Sequence, residues 1–155
     1  MAWDTTKVAG NLIQSADWNA QVTAIKKVTA GTFYWSCSGV NFKPNDTTDE
    51  AVFDDGVLAL NSANGWVTAP VFLPHGAVVT ACVVYGDLTG VNAWRLRRIN
   101  ISSQALSDLA GANVNTEDTT ITNATIDNSV YGYYIDIAAI VNTDLIYGVR
   151  ITYTL

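Results

Sequence analysis

An all-β fold, a jelly-roll-like β-sandwich with a short N-terminal helical anchor segment, is predicted by three features of the sequence. From Thr32 onward the apolar residues recur with a period of two, the spacing of half-buried strands. Clusters of Gly, Asn, Asp and Pro cut that stretch into segments of strand length. Helical spacing is confined to the start of the chain, so the sequence divides into an anchor segment, residues 1–31, and a β-sandwich domain, residues 32–155.

The anchor segment carries the one credible helix. Ser15 is suited to cap it, Asp17 lies in its first turn where negative charge favours the dipole, and Lys26 and Lys27 lie in its last. Gly31 follows as terminator. Trp18, Val22 and Ile25 are spaced four then three, the spacing of a helical seam. A helix this short is marginal alone in water and must pack on its own β-domain or on symmetry mates. Upstream, Trp3, Val8, Leu12 and Ile13 are the expected docking anchors, because large apolar side chains near a terminus call for cover.

In the β-domain, strands are expected at 33–38, 51–53, 57–60, 66–73, 77–85, 92–101 and 119–126. The run YGYYIDIAAI places Tyr131, Tyr133, Ile135 and Ile137 on one face and Gly132, Tyr134 and Asp136 on the other. In the final run, Leu145, Tyr147, Val149, Ile151 and Tyr153 share one apolar face. Turns are expected at Asp54-Asp55-Gly56, Asn64-Gly65, Pro74-His75-Gly76, Gly86-Asp87, Gly90 and Asn142-Thr143-Asp144, with Asn64-Gly65 the strong hairpin signal. The stretch 102–118 reads as a long loop with a helical turn near Ala105–Leu109. Eight or nine strands without helices between them mean a sandwich or barrel, and a jelly roll fits the count.

A chain of 155 residues matches one domain with a small appendage. It is 49% hydrophobic and only 14% charged, against a usual charged share of about 25%. A small domain so poor in charge and rich in Trp and Tyr hides more surface than a monomer can, which points to an oligomer. The net charge of −6 and the lack of Lys/Arg clusters argue against nucleic acid. Arg95 and Arg97 fall on one strand face and Arg98 on the other, as surface or interface charges, with an anionic contact as the sharper alternative. Cys37 and Cys82 lie in apolar strand-like stretches as buried thiols, and an even count leaves a disulfide open. Neither a signal peptide nor an apolar run of about 20 residues is present, so synthesis in the cytoplasm without membrane insertion is expected.

Little in the chain spells out a reaction. His75, the single histidine, sits in LPHG as a turn residue, and neither a GxSxG elbow, a phosphate loop nor HExxH occurs. The acids Asp46, Asp49, Glu50, Asp54 and Asp55 are weak candidates for a calcium site, without EF-hand spacing, and read first as a solvated loop. Trp35, Trp66 and Trp94 lie on strands, where core packing is the default. The expectation is a non-enzymatic protein without a cofactor.

Two segments carry a resemblance. SADWNAQVTAIKK resembles the short D-W-N segment near the start of many tailed-phage fibre, baseplate and virion-surface proteins, where it commonly precedes a β-rich trimeric domain. APVFLPHGAVVTACVVYGD, with LRRINIS and DTTITNATIDNSVYGYYIDI, resembles a β-domain of phage and bacterial surface proteins. The resemblance covers about two thirds of the chain and includes no catalytic residues. It implies a homotrimeric structural protein on a virion surface, a decoration, head-fibre or tip protein, attached to a capsid or tail protein through residues 1–31. The alternative it implies is a receptor- or glycan-binding module. The chain lacks the shaft of a long fibre, which favours the compact role.

Overall fold

The computed structural model describes residues 19–23, 31–48, 50–61, 64–88 and 93–155. The chain separates into two compact units, Met1–Gly31 and Thr32–Leu155. In the first, residues 19–23 are helical, Val22 is half-buried, and the Thr23 hydroxyl donates to the Asn19 carbonyl at 2.7 Å. Trp3, Val8, Leu12, Ile13, Ser15, Trp18 and Ile25 lie outside the described residues.

The second unit holds ten strands: β1 (Thr32–Ser38), β2 (Lys43–Pro44), β3 (Glu50–Asp54), β4 (Val57–Asn61), β5 (Gly65–Val71), β6 (Val78–Asp87), β7 (Ala93–Asn100), β8 (Leu106–Asn113), β9 (Tyr131–Ile140) and β10 (Leu145–Thr154). They form two five-stranded antiparallel sheets, a jelly-roll-like β-sandwich. In the first sheet β10 is the spine. Its whole length pairs with β6 on one side, while β1 and then β4 share the other, with β3 outside β4. The second sheet runs β2-β5-β9-β7-β8.

Alternation drives the packing. Val67, Ala69 and Val71 of β5, Trp94 and Leu96 of β7, and Tyr133, Ile135 and Ile137 of β9 meet Cys82 and Val84 of β6 and Val149 and Ile151 of β10 in one core. Burying each large side chain stabilises by ~1.5–3 kcal/mol. Two glycines let the backbones close on one another. A Cβ at Gly39 would collide with the Ile146 carbonyl oxygen, where β1 gives way to β4 along β10. One at Gly148 would stand 2.5 Å from the Cys37 carbonyl oxygen.

Several expectations need correction. The segment 102–118 is not a loop with a helical turn; β8 occupies Leu106–Asn113 and pairs with β7. A register shift between Leu96 and Arg97 leaves the adjacent Leu109 and Ala110 both buried, so the period of two is broken where it would have been read. Conversely, 119–126 is no strand, and the segment meets β6 through the isolated bridge Val78↔Thr125 rather than a ladder. Asp118 spends its side chain locally on the Thr120 N–H and hydroxyl, and the Thr122 hydroxyl donates across to the Leu109 carbonyl of β8, which diverts the chain from a ladder. Within β10, a bulge between Ile146 and Gly148 places Ile146 in the core and leaves Tyr147 47% exposed, so Leu145 and Tyr147 do not continue the face of Val149, Ile151 and Tyr153.

Among the turns, Asp55 and Gly56 both have positive φ (43° and 92°), the paired left-handed geometry suited to the β3–β4 hairpin. Asn64-Gly65 is different: it precedes β5, in the other sheet from β4, and therefore sits in a crossover, not a hairpin. Gly86 and Asp87 continue β6, while Gly90 lies outside the described residues. Cys37 and Cys82 are free thiols on strands flanking β10. Cys37 lies opposite Val149 and Cys82 opposite Ile151, so two strand spacings and a two-residue offset put their Cα atoms on the order of 11–12 Å apart, beyond the ~7 Å reach of a disulfide. Burial pushes both thiols above their ordinary pKa.

Candidate functional site

The two outer faces of the sandwich carry the chain's unspent chemistry. On the first sheet, the alternation of TFYWSCS turns Trp35 and Cys37 towards the core and leaves Tyr34 65% exposed on the outer side. Registers then align Tyr34 with Thr152 and Ala81, and Ser36 with Arg150 and Val83. The Arg150 guanidinium lies 5.9 Å from the Tyr34 ring centre and 5.8 Å from that of Tyr85. Its Nη2 donates to Glu117 Oε1 at 3.1 Å, and its Nε is buried without an acceptor. Tyr34, Ala81, Glu117, Arg150 and Thr152 line an open depression of ≈ 490 Å³.

Glu117 comes from the loop after β8, and Asp118 fastens that loop. Its backbone exchanges two hydrogen bonds with Cys82, at 2.9 and 3.0 Å. Its carboxylate accepts from the Gly111 N–H and from the Thr120 N–H and hydroxyl. Burial, the largest single influence, would raise the Asp118 pKa, but these hydrogen bonds together hold it below the ordinary value.

The outer face of the second sheet is built differently. As alternation requires, Arg95 and Arg97 share it and Arg98 turns away, stacking 4.2 Å from the centre of the Tyr131 ring. Asp136, opposite Arg95 on β9, is buried. Arg97 Nη1 donates to Asp136 Oδ2 at 3.1 Å and Arg97 Nε to Asp108 Oδ1 at 2.7 Å, while Arg95 Nε lies 3.5 Å from Asp136 Oδ1. Two cations and two anions cancel. Around this lattice stand Trp66, exposed beneath Arg95, and an apolar end made by Phe72 (75% exposed), Ile99, Ile101 (66%) and Leu106. Trp66 is thus not a core residue, unlike the fully buried Trp94 and the partly buried Trp35.

A third feature joins the two distinctive segments of the sequence. In the LPHG turn, His75 Nδ1 accepts from the Asn128 N–H at 3.2 Å and the Leu73 carbonyl accepts from Asn128 Nδ2 at 2.9 Å. Ile126 exchanges backbone hydrogen bonds with Gly76 and Ala77. Hydrogen bonds from the Ser129 hydroxyl and N–H, with His75 nearby, hold Asp127 below the usual carboxylate range. His75 is a structural clasp here.

No family model matches the chain, and no curated protein does. Among solved structures, it is similar to the Glycosylation Associate Protein (Gap123) complex from Streptococcus agalactiae, with TM-score 0.46 and 10% identity over 91% of this chain. The chain spans 30% of the length of that protein. Two others are the C-terminal CBM6 of LamC, a marine laminarinase from Zobellia galactanivorans (TM-score 0.42, 14% identity, 77% of this chain and 99% of that one), and the low-affinity xylan-binding module CBM86 from Roseburia intestinalis (TM-score 0.39, 11% identity, 77% and 94%).

The acidic residues do not converge. Asp46 accepts from the Thr48 N–H and hydroxyl, which lowers its pKa, Glu50 accepts from Asn61 Nδ2, and Asp54 and Asp55 lie in the β3–β4 hairpin. Asp49 is outside the described residues. Among the described residues, no three His, Cys, Asp or Glu side chains are grouped to hold a metal ion. Sequence reasoning had not singled out Tyr34, Tyr85, Glu117 or Arg150. The available signal was Tyr34 itself, an aromatic in the outward register between Phe33 and Trp35.

Proposed function

We propose that the protein is a non-enzymatic structural domain of a virion surface, assembled as a homotrimer and tethered to a capsid or tail protein through its N-terminal segment. The observation that carries the assembly is the outer face of the second sheet. The whole chain bears a net charge of −6, so two copies repel over most of their surfaces. On this face Arg95, Arg97, Asp108 and Asp136 neutralise one another, and Phe72, Ile101 and Leu106 stand exposed beside them. An exposed apolar cluster of this kind marks an interaction surface, and its neutrality suits a second copy of the same chain. The virion setting rests on the D-W-N segment and on the paired LPHG and TIDN segments, which clasp each other in the fold.

Light scattering of the full chain at tens of micromolar should give three times the 16.6 kDa chain mass. Phe72→Glu combined with Ile101→Glu should convert it to monomer. Val52→Glu, an exposed position on β3 of the first sheet, should leave the mass unchanged. A wild-type monomer would overturn the assembly.

A further inference from the structure

We infer that the depression on the outer face of the first sheet is a saccharide-binding site, and that its ligand is a neutral sugar. The groups present divide the work such a ligand demands. A pyranose ring has an apolar C–H face and a rim of hydroxyls that both donate and accept hydrogen bonds. The exposed Tyr34 ring supplies a surface on which the C–H face can stack. Tyr85, 38% exposed, stands on the other side of Arg150, so two rings flank one cation. Arg150 offers only donors and Glu117 only acceptors, and their 3.1 Å contact places both along one rim of the depression. Thr152 lines it as well.

Three physical points favour this ligand over others. The volume of ≈ 490 Å³ falls within the ~300–1,000 Å³ of small-molecule sites, and its open form suits a chain of sugars passing across it better than an enclosed cofactor. The Arg150–Glu117 pair cancels its own charge, and the whole chain carries a net charge of −6, so an anionic ligand is disfavoured. Finally, the groups are held in place before any ligand arrives. Tyr34 and Arg150 sit on hydrogen-bonded strands, and Asp118 fastens the loop that carries Glu117. Preorganisation of this kind lowers the ordering cost of binding. The site lies on the opposite sheet from the face assigned to assembly, and neither inference depends on the other.

The test is a titration of the uniformly ¹⁵N-labelled full chain with gluco-, galacto- and manno-oligosaccharides of three to six residues at millimolar concentration, followed by amide chemical shifts. The expected result is saturable shifts for at least one of the three series, clustered at Tyr34, Ser36, Arg150, Thr152 and Glu117. Tyr34→Ala and Glu117→Gln are both surface changes, and each should weaken that binding at least tenfold without altering the rest of the spectrum. Three results would overturn the inference: no saturable shift with any series, shifts clustered on the second sheet, or tighter binding of an oligogalacturonate than of every neutral sugar.

Discussion

The two outer faces use the same residue types for opposite ends. On the second sheet, arginine is consumed internally: Arg97 bridges Asp108 and the buried Asp136, and beside the partly exposed Arg95 and Asp108 stand exposed apolar side chains. On the first sheet, Arg150 meets one carboxylate at the mouth of an open depression and shares its flat surface with two tyrosines. A buried carboxylate between two cations, with Asp108 as the fourth charge, leaves a neutral lattice closed on itself, whereas a half-exposed ion pair beside an open ring leaves polar edges to offer. The difference comes from one position. Asp136 faces outward from the middle strand of its sheet, where Arg95 and the adjoining Arg97 can both reach it, and no acid occupies the equivalent place on β10.

The strongest way to break the comparison is to remove the platform under both faces. Val149 sits in the core on β10, and Val149→Asp would leave an unpaired charge there, costing about 3–5 kcal/mol. Circular dichroism should show no cooperative melt. A smaller effect separates the faces. Asp136→Ala strands Arg95 and Arg97 and should destabilise by about 3 kcal/mol, read from urea denaturation. It also leaves a net positive patch on the second face, so light scattering should show dissociation, while sugar titration of the first face should be unchanged. If oligomer mass and sugar response fell together, the two faces would not be independent.

The smallest effect concerns pH. The Asp118 carboxyl is held below its ordinary value of about 3.9, so its stabilisation is complete above that pH and is lost as the pH falls through the lower, folded value. Below pH ~4, hydrogen exchange at the Thr120 amide and at Gly111 on the edge strand β8 should accelerate, loosening the Glu117 loop while the central strand β9 of the second sheet stays protected. Equal acceleration on β9 would remove the contrast.

The sandwich was legible because its core strands alternate cleanly. In β9, Tyr133, Ile135 and Ile137 point inward as their spacing requires. Where bulges intervene the pattern fails, as in β8 and at Ile146 of β10, because one extra residue exchanges the two faces from that point on. Asn64-Gly65 misled for another reason: local turn propensity says nothing about which sheet the next strand joins. The candidate site was the least legible part. Tyr34, Arg150 and Glu117 are separated by more than thirty residues from one another in sequence, and it takes the pairing of β10 with β1 and with β6, and the Asp118 bridge to Cys82, to bring them together.

The central place of β10 also sets the order in which the domain can fold. Within the first sheet, β1 and β6 are both hydrogen-bonded to β10, and neither pairs directly with another strand of that sheet. As the chain leaves the ribosome, β7, β8 and β9 can join β5, but β1 and β6 wait with open edges until the residues from Leu145 to Thr154 emerge. Pairings that span more than a hundred residues, such as Phe33 with Tyr153, close late and slowly. Throughout that interval two apolar strands are templates for wrong partners, including the same strands of a neighbouring nascent chain. A ribosomal pause or a truncation within the last ten residues of this strand would therefore harm solubility far more than its share of the chain suggests, and chaperone demand should peak just before synthesis of β10.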